Sequence, residues 1–115
     1  MTRVLVVDDS PVIAEYVAAL LVGQAEVRVV TTCARRLLDP ESFLWDGVDI
    51  LACDLRMPEV DGLDILNVAR IYHPGILRRA VTGIADEDLL VEAETVAKLI
   101  SKATSPALLA AAILS

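Results

Sequence analysis

Aromatic residues are scarce in this 115-residue sequence, at one Trp, two Tyr and one Phe, so it offers no platform for stacking the bases of a single-stranded nucleic acid. Basic residues are few as well. Ten Lys and Arg against seventeen Asp and Glu leave a formal charge of −7, which disfavours nucleic acid and anionic membranes as direct partners. The two cysteines, Cys33 and Cys53, form neither a C-x-x-C pair nor a disulfide framework, as expected of a reducing, cytoplasmic setting. No apolar run approaches the roughly 18 residues of a membrane span, and the short run after Arg3 ends at Asp8, too soon for the core of a secretory signal. No repeat, low-complexity stretch or linker interrupts the chain. Aliphatic residues, by contrast, are plentiful: 56% of the chain is hydrophobic, enough for the single core that this length can build.

Short aliphatic runs alternate with amphipathic stretches. Val4 to Val7, Val27 to Val30, Ile50 to Cys53, Ala80 to Val81 and Val96 to Ile100 read as strands buried on both faces of a parallel sheet. Pro11 to Val22, Arg35 to Trp45, Leu63 to Tyr72 and Glu87 to Glu94 carry helical spacing, and Pro106 to Leu114 makes a fifth helix. Ser10-Pro11 and Ser105-Pro106 each set a hydroxyl cap before a proline at the first helical position, where no N–H is needed. This alternation predicts an α/β fold, a doubly wound parallel sheet with helices on both faces, because right-handed crossovers leave helices on either side.

The functional crevice of such a sheet lies at the carboxyl ends of its strands. Asp8 and Asp9 close the first strand, Asp54 the third, Thr82 the fourth and Lys102 the fifth. Three carboxylates brought together repel one another unless a cation joins them or one keeps its proton. Oxygen ligands with open positions suit Mg²⁺ rather than zinc, which wants His or Cys. A carboxylate beside Mg²⁺, with amine and hydroxyl donors near, is suited to accept a phosphoryl group: the acid attacks while the cations and the hydroxyl stabilise the phosphoryl oxygens.

Four motifs carry a resemblance that spans essentially the whole chain: Val6-Val7-Asp8-Asp9-Ser10, the run Asp54-Leu55-Arg56-Met57-Pro58-Glu59-Val60-Asp61-Gly62, Ala80-Val81-Thr82-Gly83, and Ser101-Lys102. In this order and spacing they resemble the receiver domain of two-component response regulators, taken here as one domain over residues 1–115. The resemblance implies a flavodoxin-like five-stranded sheet in the order 2-1-3-4-5. It implies Asp54 as phosphoacceptor, with Mg²⁺ bound by Asp9, Asp54 and the backbone carbonyl of Arg56, and by Asp8 directly or through water. Thr82 and Lys102 would hold the phosphoryl oxygens. Pro58 would fix the backbone just after the Arg56 carbonyl, and Gly62 would permit the turn into the next helix. The implied donor is a sensor histidine kinase or phosphotransfer protein, and the recipient of the signal is an output domain or protein. The only chemistry implied is the domain's own phosphorylation and dephosphorylation, so it would be no stand-alone enzyme.

The sequence departs from the family pattern in its second half. Proline usually follows the lysine, but here Ala103 does; the switch-aromatic position, three residues before the lysine, is Leu99; and the segment from Thr82 to Lys102 is short, predicting a short fourth helix. These departures fall on the output face. They support an alternative, a receiver-fold interaction module whose output is weakly coupled to phosphorylation. A haloacid-dehalogenase-type phosphatase would want a second Asp where Arg56 stands, and a Rossmann enzyme would want G-x-G-x-x-G after the first strand.

Other residues have plainer readings. Phe43 and Trp45 are expected to cover the core, Cys53 to act as a small buried hydrophobe, His73 to cap a helix end, and Arg35, Arg36, Arg78 and Arg79 to be solvated. Arg56 is either solvated or in contact with the phosphoryl site or a partner. The last helix carries no charge on any face, so an output domain or a homodimer through this helix is expected to cover it. A lone receiver and an excised one read alike.

Overall fold

Five parallel strands, β1 (Arg3–Val7), β2 (Glu26–Val30), β3 (Ile50–Cys53), β4 (Leu77–Thr82) and β5 (Lys98–Ser101), pair in the order β2-β1-β3-β4-β5. The computed structural model describes residues 1–83 and 86–115. Successive side chains of a strand face opposite ways, so each strand feeds two cores. Leu5, Val7, Leu51, Cys53 and Ala80 pack under α2 (Gly62–Tyr72) and α3 (Glu87–Glu94), against Leu66, Ala69 and Ala93. Val4, Val6, Ile50, Ala52, Val81 and Ile100 pack on the other face under α1 (Pro11–Leu20) and α4 (Pro106–Leu114), against Ala14, Val17, Leu109 and Ile113. The unbroken aliphatic runs of the central strands reflect this double burial.

The expected helix over Arg35 to Trp45 does not form. Two short 3₁₀ turns, Ala34–Leu38 and Phe43–Trp45, replace it. Pro40 is the reason: it offers no N–H and pushes the preceding residue out of helical geometry, and Asp39 has extended φ −85° and ψ 113°. Side chains then hold the broken segment. Trp45 is buried, its Nε1–H donates to the Asp39 carbonyl at 3.2 Å, and its ring stacks on His73 with centroids 5.1 Å apart. The His73 Nε2 lies 2.8 Å from the Pro40 carbonyl, so the ring ties α2 to this segment and does not cap its own helix. Phe43 is 63% exposed and covers nothing.

β4 is longer than the sequence suggests because its two arginines are not solvated. Arg78 Nε donates to the Val96 carbonyl at 2.7 Å; Arg79 is buried and its Nε donates to the Ile113 carbonyl at 3.2 Å. Burial lowers the Arg79 pKa. In register beside Arg79, Lys98 donates to the Ala112 carbonyl at 3.0 Å. Two cations thus meet the last carbonyls of α4, where a helix end favours positive charge. Of the two expected serine caps, Ser10 accepts from the Ile13 amide at 3.3 Å, whereas the Ser105 hydroxyl makes no cap bond.

Gly62 serves a different purpose from the one expected. Its φ is not positive, and what it provides is room: a Cβ there would overlap the carbonyl oxygen of Asp54 and crowd Leu55. Its amide donates to the Leu55 carbonyl at 2.9 Å, folding the loop after Asp54 back onto the start of α2. Gly62→Ala must therefore shift backbone, and it is expected to destabilise the protein by about 3 kcal/mol, at the upper end of overpacking costs, as read from urea unfolding.

Candidate functional site

The backbone ladder runs one residue past several strand ends, and there the polar residues stand. Asp8 N–H donates to the Val30 carbonyl at 3.1 Å, Asp54 N–H to Val7 at 2.8 Å, and Lys102 N–H to Thr82 at 3.0 Å. Residues 46 to 94 positions apart in sequence thereby meet at the carboxyl edge of the sheet. Lys102 Nζ lies 2.8 Å from Asp8 Oδ2 and 3.4 Å from Asp54 Oδ1. The other Asp8 oxygen accepts from the Ser10 amide at 2.9 Å, which fixes the first acid between the lysine and the start of α1. Asp8, Asp54 and Thr82 are buried and Asp9 is exposed, so the cluster has one open side. Ala103 replaces the usual proline without displacing the lysine, and among the described residues no peptide bond is cis.

A carboxylate oxygen from each of Asp8, Asp9 and Asp54 lies within 4.8 Å of the other two. Oxygens around one Mg²⁺, each at 2.0–2.1 Å, sit about 3–4 Å apart, and the ion keeps several waters, so this hard, half-open donor set fits it. Receiver domains bind Mg²⁺ in an acidic pocket of this kind.

The charges press on one another. Burial pushes the Asp54 carboxyl up; Lys102 opposes this by charge and hydrogen bond, Asp8 and Asp9 reinforce it, and the net direction is upward. For Lys102 burial works against the ammonium, but its hydrogen bonds to Asp8 and Asp54 and their charges outweigh it and raise its pKa. Behind the site, the Cys53 thiol lies 3.2 Å from the Asp54 carbonyl, and burial, together with the neighbouring acids, pushes its pKa far up. It behaves as the expected small hydrophobe, since a thiol held protonated is a poor nucleophile.

Leu99 pairs with Ala80 across β4 and β5, on the sheet face that Thr82 also serves, and it is half-buried against the core under α2 and α3. It has no polar tip to carry between core and solvent. The shortened α3 has only eight residues, as expected. One contact escaped the sequence reading. Arg56 Nη2 lies 3.4 Å from Asp86 Oδ2, and the other Asp86 oxygen caps α3 at the Leu89 amide, 3.2 Å away. The pair spans 30 residues, and no local spacing announces it.

The sequence matches the response regulator receiver domain family over residues 4–114, and the chain belongs to that family. It is a phosphoacceptor signalling domain. Over 72 residues it is 33% identical to protein-glutamate methylesterase/protein-glutamine glutaminase 5 of Anaeromyxobacter dehalogenans, covering 63% of this chain and 20% of that protein. Over 73 residues it is 34% identical to the transcriptional regulatory protein BtsR of Salmonella typhi, covering 64% of this chain and 30% of that one. A response regulator receiver domain protein from Clostridium thermocellum aligns with a TM-score of 0.78 and 25% identity, over 99% of this chain and 92% of that one. The match thus spans less than a third of either curated relative. Among the described residues no helix is long and apolar enough to cross a membrane.

Because the folded-state pKa of Asp54 is raised, the ionised carboxylate penalises folding. That penalty is absent below the unfolded value of about 4 and grows as pH rises through the folded value. In chelator, Asp54→Asn is expected to melt above the parent at pH 7, and the gap should close toward pH 4. Added Mg²⁺ should then raise the parent's melting temperature far more than the variant's, as scanning calorimetry can record.

Proposed function

We propose that Asp54 is the phosphoacceptor of a cytoplasmic signalling switch that works with Mg²⁺, Asp8, Asp9, Thr82 and Lys102. A carboxylate oxygen of Asp54 attacks the phosphorus of a phosphohistidine on a sensor kinase or phosphotransfer protein. The P–N bond breaks, the imidazole leaves, and an acyl phosphate forms on Asp54. The observation that carries this reading is the buried Asp54 carboxylate, 3.4 Å from the Lys102 ammonium and clustered with two further carboxylates at the sheet's carboxyl edge. Mg²⁺ would be held by Asp8, Asp9, Asp54 and the Arg56 carbonyl and would supply charge neutralisation of the phosphoryl oxygens. Lys102 neutralises a phosphoryl oxygen, and Thr82, at the end of β4, donates its hydroxyl to another.

The domain acts on partners, either an attached output domain or a separate protein. The matched stretch is 20% and 30% of those two relatives, which supports a place within a larger signalling protein. The outer face of α4 supports a homodimer as one form of output: the helix is uncharged, and Leu108 is 64% exposed beside Ala107 and Ala111. A second reading, an interaction module weakly coupled to phosphate, is favoured by Leu99 alone.

Incubation with acetyl phosphate and Mg²⁺ should add one phosphoryl group by mass spectrometry. Asp54→Asn should abolish it, and Asp9→Ala should abolish both labelling and Mg²⁺ binding. Equal labelling of the Asn variant would exclude Asp54 as acceptor.

The two readings separate at Leu99. In the parent, amide NMR shifts on adding beryllofluoride should concentrate from Thr82 to Asp88, while Leu99→Tyr should spread them along α3 and β5 without changing labelling. Large shifts over that whole face in the parent, unchanged by the substitution, would remove the support for weak coupling.

A further inference from the structure

The proposed site has a charge ledger that changes on phosphorylation. Three carboxylates face one ammonium, and with Mg²⁺ in place the negative and positive charges are equal. Phosphorylation converts the Asp54 carboxylate into a neutral acyl oxygen but brings a phosphoryl group of about two negative charges. The cluster is then left with about one uncompensated negative charge on its open side. Lys102 is already engaged, lying 2.8 Å from Asp8 and 3.4 Å from Asp54. A second cation is within reach. Arg56 follows Asp54 by two residues, so their Cα atoms are at most about 7 Å apart, no further than an arginine side chain extends.

Arg56 is turned elsewhere. Its guanidinium meets Asp86 at 3.4 Å across a groove of about 520 Å³ between the β3–α2 loop and α3, and Glu59, Asp61, Asp88 and Glu92 also line that groove. Among the described residues no other Lys or Arg lines it. The pair is open to water, the two side chains being 66% and 45% exposed, so it is weak and easily exchanged. We propose that Asp86 holds Arg56 in reserve: the ion pair keeps the guanidinium off the neutral Mg²⁺-bound site, and the phosphoryl group on Asp54 draws it across as a second counter-ion. Asp86 thereby sets how strongly Arg56 supports the phosphorylated state. Arg56 meets the phosphoryl group directly, and Asp86, which acts only through it, is a positioning residue. The inference rests on Asp54 being the phosphoacceptor.

The test is a double-mutant cycle on the whole chain, with fluoroberyllate as the probe because it adds the same charge to Asp54. Its half-saturating concentration is read by ¹⁹F NMR in excess Mg²⁺, alongside the decay of the acetyl-phosphate label. Asp86→Asn removes the charge but keeps a good cap for α3, and Asp86→Ser does the same with a different side chain. Both should tighten fluoroberyllate binding and lengthen the life of the label by about two- to fivefold, the range of an exposed charge pair. Arg56→Ala should weaken binding by a similar factor, and Arg56→Ala with Asp86→Asn should match Arg56→Ala alone. The proposal is overturned if both Asp86 variants leave binding unchanged or weaken it, or if the double variant is additive. Absence of a bound ¹⁹F signal in the parent, or its persistence in Asp54→Asn, would instead overturn the phosphoacceptor assignment and this inference with it.

Discussion

The Lys102 ammonium, 2.8 Å from Asp8 and 3.4 Å from Asp54, is what allows three acids to share one edge of the sheet. Without it two buried carboxylates and Asp9 would meet with no ammonium beside them, which favours the protonated form of a carboxyl. The rest of the site is arranged around that contact. The strand ladder continues just far enough to fix the backbone of Asp8, Asp54 and Lys102, and Gly62 leaves space for the Asp54 carbonyl to lie against the start of α2. Even so, one ammonium does not offset three carboxylates: burial first, and then the charges of Asp8 and Asp9, raise the Asp54 pKa against the pull of Lys102. A divalent cation would offset that charge, and hard oxygen donors of this kind suit one.

A similar economy governs the cations elsewhere. Arg78, Arg79 and Lys98 sit at the opposite end of β4 and β5, where they donate to main-chain carbonyls of the β4 and β5 approaches and of α4 and, from Lys98, to the Ser115 hydroxyl. They fasten the last helix to the sheet, far from the acids. The positive charge that remains near the acids is Lys102, held in the site, and Arg56, held beside it. An acidic chain with few cations therefore places them where each has a distinct effect.

Much of this could be read from the sequence, and the reasons are local. Five aliphatic runs with polar residues just beyond them specify buried parallel strands with functional ends, and the Asp54 to Gly62 run is too particular to arise from packing alone. The structure brings Asp8, Asp9, Asp54 and Lys102 together at that edge, with Thr82 at the end of β4 and Leu99 within β5. The second helix failed on a local signal that was present: Pro40 lies in the middle of the expected helix, and apolar spacing on either side masked it. Trp45 nonetheless remained in the core because His73 and the Asp39 carbonyl gave its ring and its N–H partners. Phe43 found no such partners and points outward.

By itself the sequence determined the order of the five strands and of four of the five expected helices, the residues at the strand ends and the kind of chemistry they can support, because periodicity and side-chain type act over a few residues. The tertiary structure alone decided which distant groups meet. Lys102 reaches Asp8 only through the pairing of β5 with β4, of β4 with β3 and of β3 with β1; Arg79 is buried only because α4 ends above it; Arg56 finds Asp86 only because the β3–α2 loop faces α3. Such contacts depend on how whole elements are laid side by side, and the spacing of residues along one segment carries no record of that.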